Sequence, residues 1–161
     1  MGKDLIELAE GRFGKVIAFR LKPGTDVYLG IKEASERSGI LSGVVVSAIG
    51  SLDTAYYCDV QELPTAKCGY GYGETLHITG PVELTGASGI ICHDDDGSVN
   101  LHIHVSLSDR YGNAWGGHLK EGTKVLMTTD VVVAEIEGIE MGRSFDDNMG
   151  VMLFAPRQLS N

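Results

Sequence analysis

Polar and apolar residues alternate in several stretches of this chain, and strict alternation marks a half-buried strand. Residues 15–21 (KVIAFRL) place Ile17, Phe19 and Leu21 on one face, with Arg20 and Lys22 on the other. Pro23-Gly24 breaks that strand. The period then changes. Thr25 suits an N-cap, Asp26 suits the positive end of a helix dipole, and Val27, Ile31 and Ala34 recur at helical spacing until Ser38-Gly39 closes the segment. Residues 26–38 are therefore predicted as one amphipathic helix, the main helix of the chain. The rest reads as strands at 44–49, 54–60, 74–84, 88–93, 99–107, 114–119, 125–137 with a break near Asp130, and 150–155. Residues 61–73, with Pro64, Gly69, Gly71 and Gly73, read as a long loop. Turn residues separate the later strands at Asp95-Asp96-Gly97, Arg110-Tyr111-Gly112 and Asp147-Asn148. Short strands at close spacing predict an α+β fold: a mainly antiparallel sheet of about seven strands with helical cover on one face. No linker, repeat or low-complexity segment divides the chain. Residues 1–161 read as a single domain, with a core over about 12–156.

The alternation is most informative in residues 100–119 (NLHIHVSLSDRYGNAWGGHL). Leu101, Ile103, Val105 and Leu107 take one face, so His102 and His104 share the other, their Cα atoms about 6.5 to 7 Å apart. A three-residue hairpin loop is closed by a left-handed residue, usually glycine, and Arg110-Tyr111-Gly112 fits with Asp109 facing Asn113. Counting back from that turn pairs Leu107 with Trp115, Val105 with Gly117 and His104 with His118. The register comes from the turn, yet it brings a third histidine beside the first two. Gly116 and Gly117 leave room there for a ligand or another backbone. Three neutral imidazoles at one point suit Zn²⁺, with Ni²⁺, Co²⁺ or Fe²⁺ as alternatives, and three protein ligands leave a coordination position open for a small-molecule ligand. His77 and His93 read as bystanders. The acidic turn after His93 lacks the ligand spacing of a calcium loop.

Composition narrows the function classes. The chain has 22 acidic and 13 basic residues, a net charge of −9 that opposes a polyanionic partner. Arg12, Lys15, Arg20 and Lys22 form the one basic cluster, expected as a solvated face pairing with acids elsewhere. No stretch is long and apolar enough to span a membrane. The opening residues carry acids early and lack the apolar run of a secretory leader. Three cysteines without paired spacing (Cys58, Cys68, Cys92) fit a reducing, cytoplasmic setting. Neither a nucleophile elbow nor a phosphate loop is present, and the alternation of Gly69, Gly71 and Gly73 with Tyr70 and Tyr72 lacks the context of a dinucleotide loop. Glu74 and Asp109 are the candidate acids or bases for an ion at the histidines.

The opening RLKPGTDVYLGIKEASERSGILSGVVVSAIGSL, the Gly-Pro-Val-Glu-Leu-Thr-Gly segment and the closing HIHVSLSDRYGNAWGGHL together resemble the plants and prokaryotes conserved domain over most of the chain. The resemblance implies a single-domain prokaryotic type with an antiparallel sheet, assembled as a homotrimer. It also implies a zinc-type metal held by three histidines, at positions matching His102, His104 and His118. In plant relatives the domain follows AT-hook motifs that bind DNA, the histidines are largely lost, and the domain mediates association between proteins. This chain has no AT-hook and keeps all three histidines. The leading expectation is a trimeric metal-binding module for binding or assembly. A metal-dependent enzyme is the first alternative, and a DNA-binding regulator, resting on family analogy, the second.

Overall fold

The computed structural model describes residues 6–160, which form ten strands and one helix. In chain order these are β1 (Arg12–Leu21), α1 (Val27–Ser38), β2 (Gly43–Cys58), β3 (Val60–Glu62), β4 (Tyr70–Tyr72), β5 (Leu76–His93), β6 (Val99–Ser108), β7 (Ala114–Leu119), β8 (Lys124–Glu137), β9 (Ile139–Asp146) and β10 (Val151–Gln158). Eight strands make one sheet in the order β1-β8-β2-β7-β6-β5-β9-β10, while β3 and β4 form a separate two-stranded ribbon. All pairings are antiparallel except β5 with β9, which meet in parallel at His93 and Gly142. The long β2 is partnered on both edges. One edge takes β5, and the other takes β8 and then, at Tyr57 and Cys58, β7. The sheet therefore curls, and its aliphatic face turns inward.

The core lies inside that curl. Val45 and Leu52 of β2, Leu84 and Ile91 of β5, and Val131 and Val133 of β8 are buried there. Along β6 the predicted alternation holds: Leu101, Ile103, Val105 and Leu107 are buried while His102 and His104 are exposed. Helix α1 packs against β6, β8 and β1 and contributes Val27 and Ile31, both fully buried. Each such side chain stabilises the fold by about 1.5–3 kcal/mol relative to exposure.

Several expectations need correction. The helical cover reduces to this single helix among the described residues, so the fold is β-rich, and the main sheet has eight strands rather than about seven. The breaks expected near Gly50-Ser51, between 84 and 88, and at Asp130 are absent. The first two places carry shifts of register inside continuous strands, between Gly50 and Thr54 and between Leu84 and Gly86. A bulge inserts an extra residue and bends a strand without ending it. The loop expected over 61–73 contains the β3–β4 ribbon. The N-cap is Asp26, not Thr25. Asp26, extended at φ −73° and ψ 126°, is the last residue before the helix begins at Val27; its Oδ1 accepts from Leu29 N–H (3.1 Å) and its Oδ2 from Gly122 N–H (2.6 Å). At the other end Gly39 adopts the left-handed conformation (φ 70°) of an ordinary C-cap.

Candidate metal centre

The hairpin of β6 and β7 closes as its turn residues require. Asp109 N–H donates to Asn113 O and Gly112 N–H to Asp109 O, both at 3.2 Å, and Gly112 has φ 85°. The resulting register pairs Leu107 with Trp115, Val105 with Gly117 and His104 with His118. Gly116 and Gly117 serve the approach of backbones rather than space for a ligand. A Cβ on Gly116 would run into Val105 O. One on Gly117 would meet Asp59 Oδ1, Tyr57 Cδ2 (2.8 Å) and Cys58 O (2.9 Å). The absence of side chains there lets β7 lie against β2, where Cys58 is opposite His118.

His102, His104 and His118 meet on the outward face of the curled sheet. Their potential ligand nitrogens all lie within 4.8 Å of one another. The ring centroids are 5.1 to 5.5 Å apart, and Nε2 of His102 is 3.2 Å from Nε2 of His104. Two nitrogens bound tetrahedrally to one zinc ion at 2.0–2.1 Å would be separated by about 3.3 Å, so this spacing fits a shared ion. Burial and the neighbouring His104 lower the pKa of His102. Burial first, then His102, Lys120 and His104, lower that of His118 to about 4. The lowered rings are neutral at pH 7, which is the form that ligates metal.

A second layer surrounds His118. Its Nδ1 is 3.2 Å from Tyr72 Oη, and the two rings pack at 4.7 Å between centroids. Lys120 Nζ sits over the Tyr72 ring, 5.6 Å from its centroid. Tyr72 belongs to β4, so the ribbon missed by the sequence pattern carries a residue of the site. Its only trace in the sequence is the Gly-Tyr-Gly-Tyr-Gly alternation. A cleft of about 540 Å³ opens beside His102 and His118, with Lys120 and Arg143 on its wall.

The remaining candidates fall elsewhere. His77 stacks on Tyr56 (4.4 Å, 15°) and bonds Thr54 Oγ1 through Nε2 at 2.7 Å. His93 Nδ1 lies 3.2 Å from Asp94 O. Asp109 is committed to its turn, with Oδ1 accepting from the N–H groups of Tyr111 and Asn113 and Oδ2 from Asn113 Nδ2. It stands five residues from His104, about 16 Å along an extended strand, too far to serve an ion at the triad. Glu74 is exposed and lines neither cleft beside His118. In the basic cluster, Arg12 pairs with Glu137 (2.8 Å), Arg20 with Asp130 (2.9 Å), and Lys15 Nζ donates to Ser38 O (2.7 Å). No helix among the described residues is long and apolar enough to cross a membrane.

Known proteins resemble this chain to different extents. The GlmU bifunctional proteins of two Synechococcus strains are each 28% identical over 138 residues, 86% of this chain, which itself spans about a fifth of their length. Among solved structures, the metal-containing protein of Archaeoglobus fulgidus is 29% identical with a TM-score of 0.79, covering 92% of this chain and 99% of its own. A plant- and prokaryote-conserved protein of Pyrococcus horikoshii is 24% identical (TM-score 0.77; 97% and 100% covered). A candidate DNA-binding protein of Bacteroides thetaiotaomicron shares the fold at 18% identity (TM-score 0.70; 89% and 96% covered). The pattern of the plants and prokaryotes conserved (PCC) domain matches residues 8–137, and the chain belongs to that family.

Proposed function

We propose that this protein is a metal-binding member of its family that works as a homotrimeric binding or assembly module, with His102, His104 and His118 holding one zinc-type divalent ion. The observation that carries this reading is the convergence of three imidazoles whose ligand nitrogens lie within 4.8 Å. The 29% identical relative from Archaeoglobus fulgidus, described as metal-containing, supports it. When bound, such an ion supplies a Lewis acid with an open position. The chain's own part is to hold it on two strands of one hairpin and to orient His118 through Tyr72. Nickel is the alternative ion, since imidazole suits both.

The modular role draws on the GlmU relatives, in which a similar segment makes up about a fifth of a larger protein. The trimer draws on the outward face of β1, β8 and β2. Val16 and Ile49 are more than half exposed there, and Val132 lies between their strands. An uncovered apolar sheet face of this kind marks an association surface. Three unpaired thiols accord with a cytoplasmic setting.

The test is elemental analysis of untagged protein, with sedimentation of the same sample. The expected result is one transition ion per chain in a trimer, with loss of the ion and a lower Tm in His102→Ala. Absence of stoichiometric metal, together with an unchanged Tm in His102→Ala, rules the metal reading out. A monomer at micromolar concentration rules out the trimer. A metal-dependent reaction is the second reading, favoured by the cleft that adjoins the triad.

A further inference from the structure

The cleft beside the triad has a composition unlike the rest of the surface. The chain carries 22 acidic residues, yet none of those described lines this cleft, while Lys120, Arg143, His102 and His118 do. The two cations are held differently. Asp94 takes Nε and Nη2 of Arg143 at 2.7 and 2.8 Å, which fixes the guanidinium and neutralises it. Lys120 has no ion-pair partner among the described residues; its ammonium rests over the Tyr72 ring. Lys120 follows His118 by two residues, so an ion at the triad and the Lys120 ammonium would face the same space. The apolar part of the lining comes from Met152, Leu153 and Phe154 of β10, of which Met152 and Phe154 share the sheet face of Arg143, the partner of Phe154 on β9. Strand β10 lies beyond residues 8–137, the part matched by the family pattern. The cleft volume of about 540 Å³ is within the usual range for small-molecule sites, roughly 300–1,000 Å³.

We propose that this cleft binds a small organic acid with an apolar body. Its acid group is held between the ion of the triad and Lys120, and its body lies along Met152 and Phe154. The inference rests on the metal reading above and names the ligand class of that site. A carboxylate answers both the cation and the open coordination position. The apolar wall selects a body larger than acetate, because burying that surface adds affinity that a bare anion cannot gain.

The test is calorimetric titration of zinc-loaded, untagged protein with 3-phenylpropanoate, acetate and 3-phenylpropan-1-ol, with zinc content measured on each sample. The expected result is that 3-phenylpropanoate binds at least about tenfold tighter than either acetate, which lacks the body, or the alcohol, which lacks the acid. Lys120→Met weakens it about tenfold with zinc content unchanged, and Lys120→Arg restores it. Phe154→Asp removes the preference over acetate. Equal binding of 3-phenylpropanoate and acetate, or undiminished binding by Lys120→Met, overturns the ligand proposal and leaves the metal reading standing. A sample that takes up no zinc overturns the metal reading, and the ligand proposal with it, by a readout independent of the titration.

Discussion

At His118 several influences act on one ring. Burial and the surrounding cationic or polar neighbours lower its pKa to about 4, and the bond to Tyr72 Oη occupies Nδ1. With Nδ1 engaged, Nε2 is the nitrogen left to ligate an ion, and Tyr72 sets the orientation of the ring. Outer partners of this kind commonly contribute tenfold or more to metal affinity. Tyr72→Phe is expected to weaken zinc binding about tenfold while leaving the Tm of the metal-free protein unchanged; competition with a chromophoric chelator measures the first and thermal melting the second. Nothing in the spacing of the sequence announces this contact. Tyr72 and His118 are 46 residues apart, and they meet only because the β3–β4 ribbon folds over the hairpin. The histidines themselves were legible because their grouping depends on strand period and one turn, both local. Gly117 is a different case. Its role looked like space for a ligand, but the tight neighbours of a Cβ there are Tyr57, Cys58 and Asp59 of the chain itself. Gly117→Ala is expected to cost about 1–3 kcal/mol, the range for an overpacked site, and to loosen the β2–β7 pairing that carries His118. Urea unfolding gives the first, and a fall in zinc affinity the second.

Among the elements, the β6–β7 hairpin and α1 were readable in the sequence, while the two longest strands were not. Periodicity reports which face a residue takes, and a bulge changes that phase without ending the strand. Gly50-Ser51 and Thr85-Gly86 therefore look like chain breaks, although β2 and β5 run through them. β9 escaped for a related reason: Ile139, Met141 and Phe145 alternate, but Arg143 takes the place of an apolar residue and Gly142 interrupts the run. That arginine joins two elements. It binds Asp94 in the β5–β6 turn through two hydrogen bonds, tying β9 to the end of β5. The bond to Arg143, ahead of all other influences, lowers the Asp94 pKa below the ordinary carboxylate value. A carboxylate lowered in the folded state binds protons more readily when unfolded. Its contribution is therefore complete above the unfolded value of about 3.9 and is lost as pH falls through the lower folded value. The urea midpoint should accordingly fall less steeply below about pH 4 in Asp94→Asn than in the parent, with no change in that difference between pH 5 and 7. Helix α1 depends on a similar tie. Asp26 caps it and also holds Gly122 N–H, so Asp26→Ala should cost about 2–3 kcal/mol, more than a cap alone, as read by the same unfolding measurement.

For the whole molecule the question is what a charge of −9 permits. Nucleic-acid affinity comes largely from cations that displace counterions from phosphate, and it scales with how many are available. Three of the four cations of the cluster that might have supplied them are already engaged, Arg12 by Glu137, Arg20 by Asp130 and Lys15 by the C-terminal carbonyl of α1, which leaves Lys22. Arg37, Lys124, Arg143 and Arg157 are paired with acids as well. Sharing a fold with a candidate DNA-binding protein at 18% identity does not supply the missing charge. The protein is therefore expected to show no saturable binding to a 25-base-pair duplex at 150 mM salt up to about 100 μM, the weak end of non-specific affinities, as followed by fluorescence anisotropy. The double substitution Asp130→Asn and Glu137→Gln releases Arg20 and Arg12 and changes the net charge from −9 to −7. At 50 mM salt it should bind the duplex more tightly than the parent, and the gain should disappear by 200 mM. Salt-resistant, sequence-dependent binding by the parent protein would show that a surface other than this cluster contacts the bases. Apart from Lys15, the exposed cations without an ion pair among the described residues, Lys22, Lys67 and Arg110, lie in three different connections, after β1, between β3 and β4 and between β6 and β7, whereas Lys120 stands beside the histidine triad, where the partner it suits is a small anion rather than a polyanion.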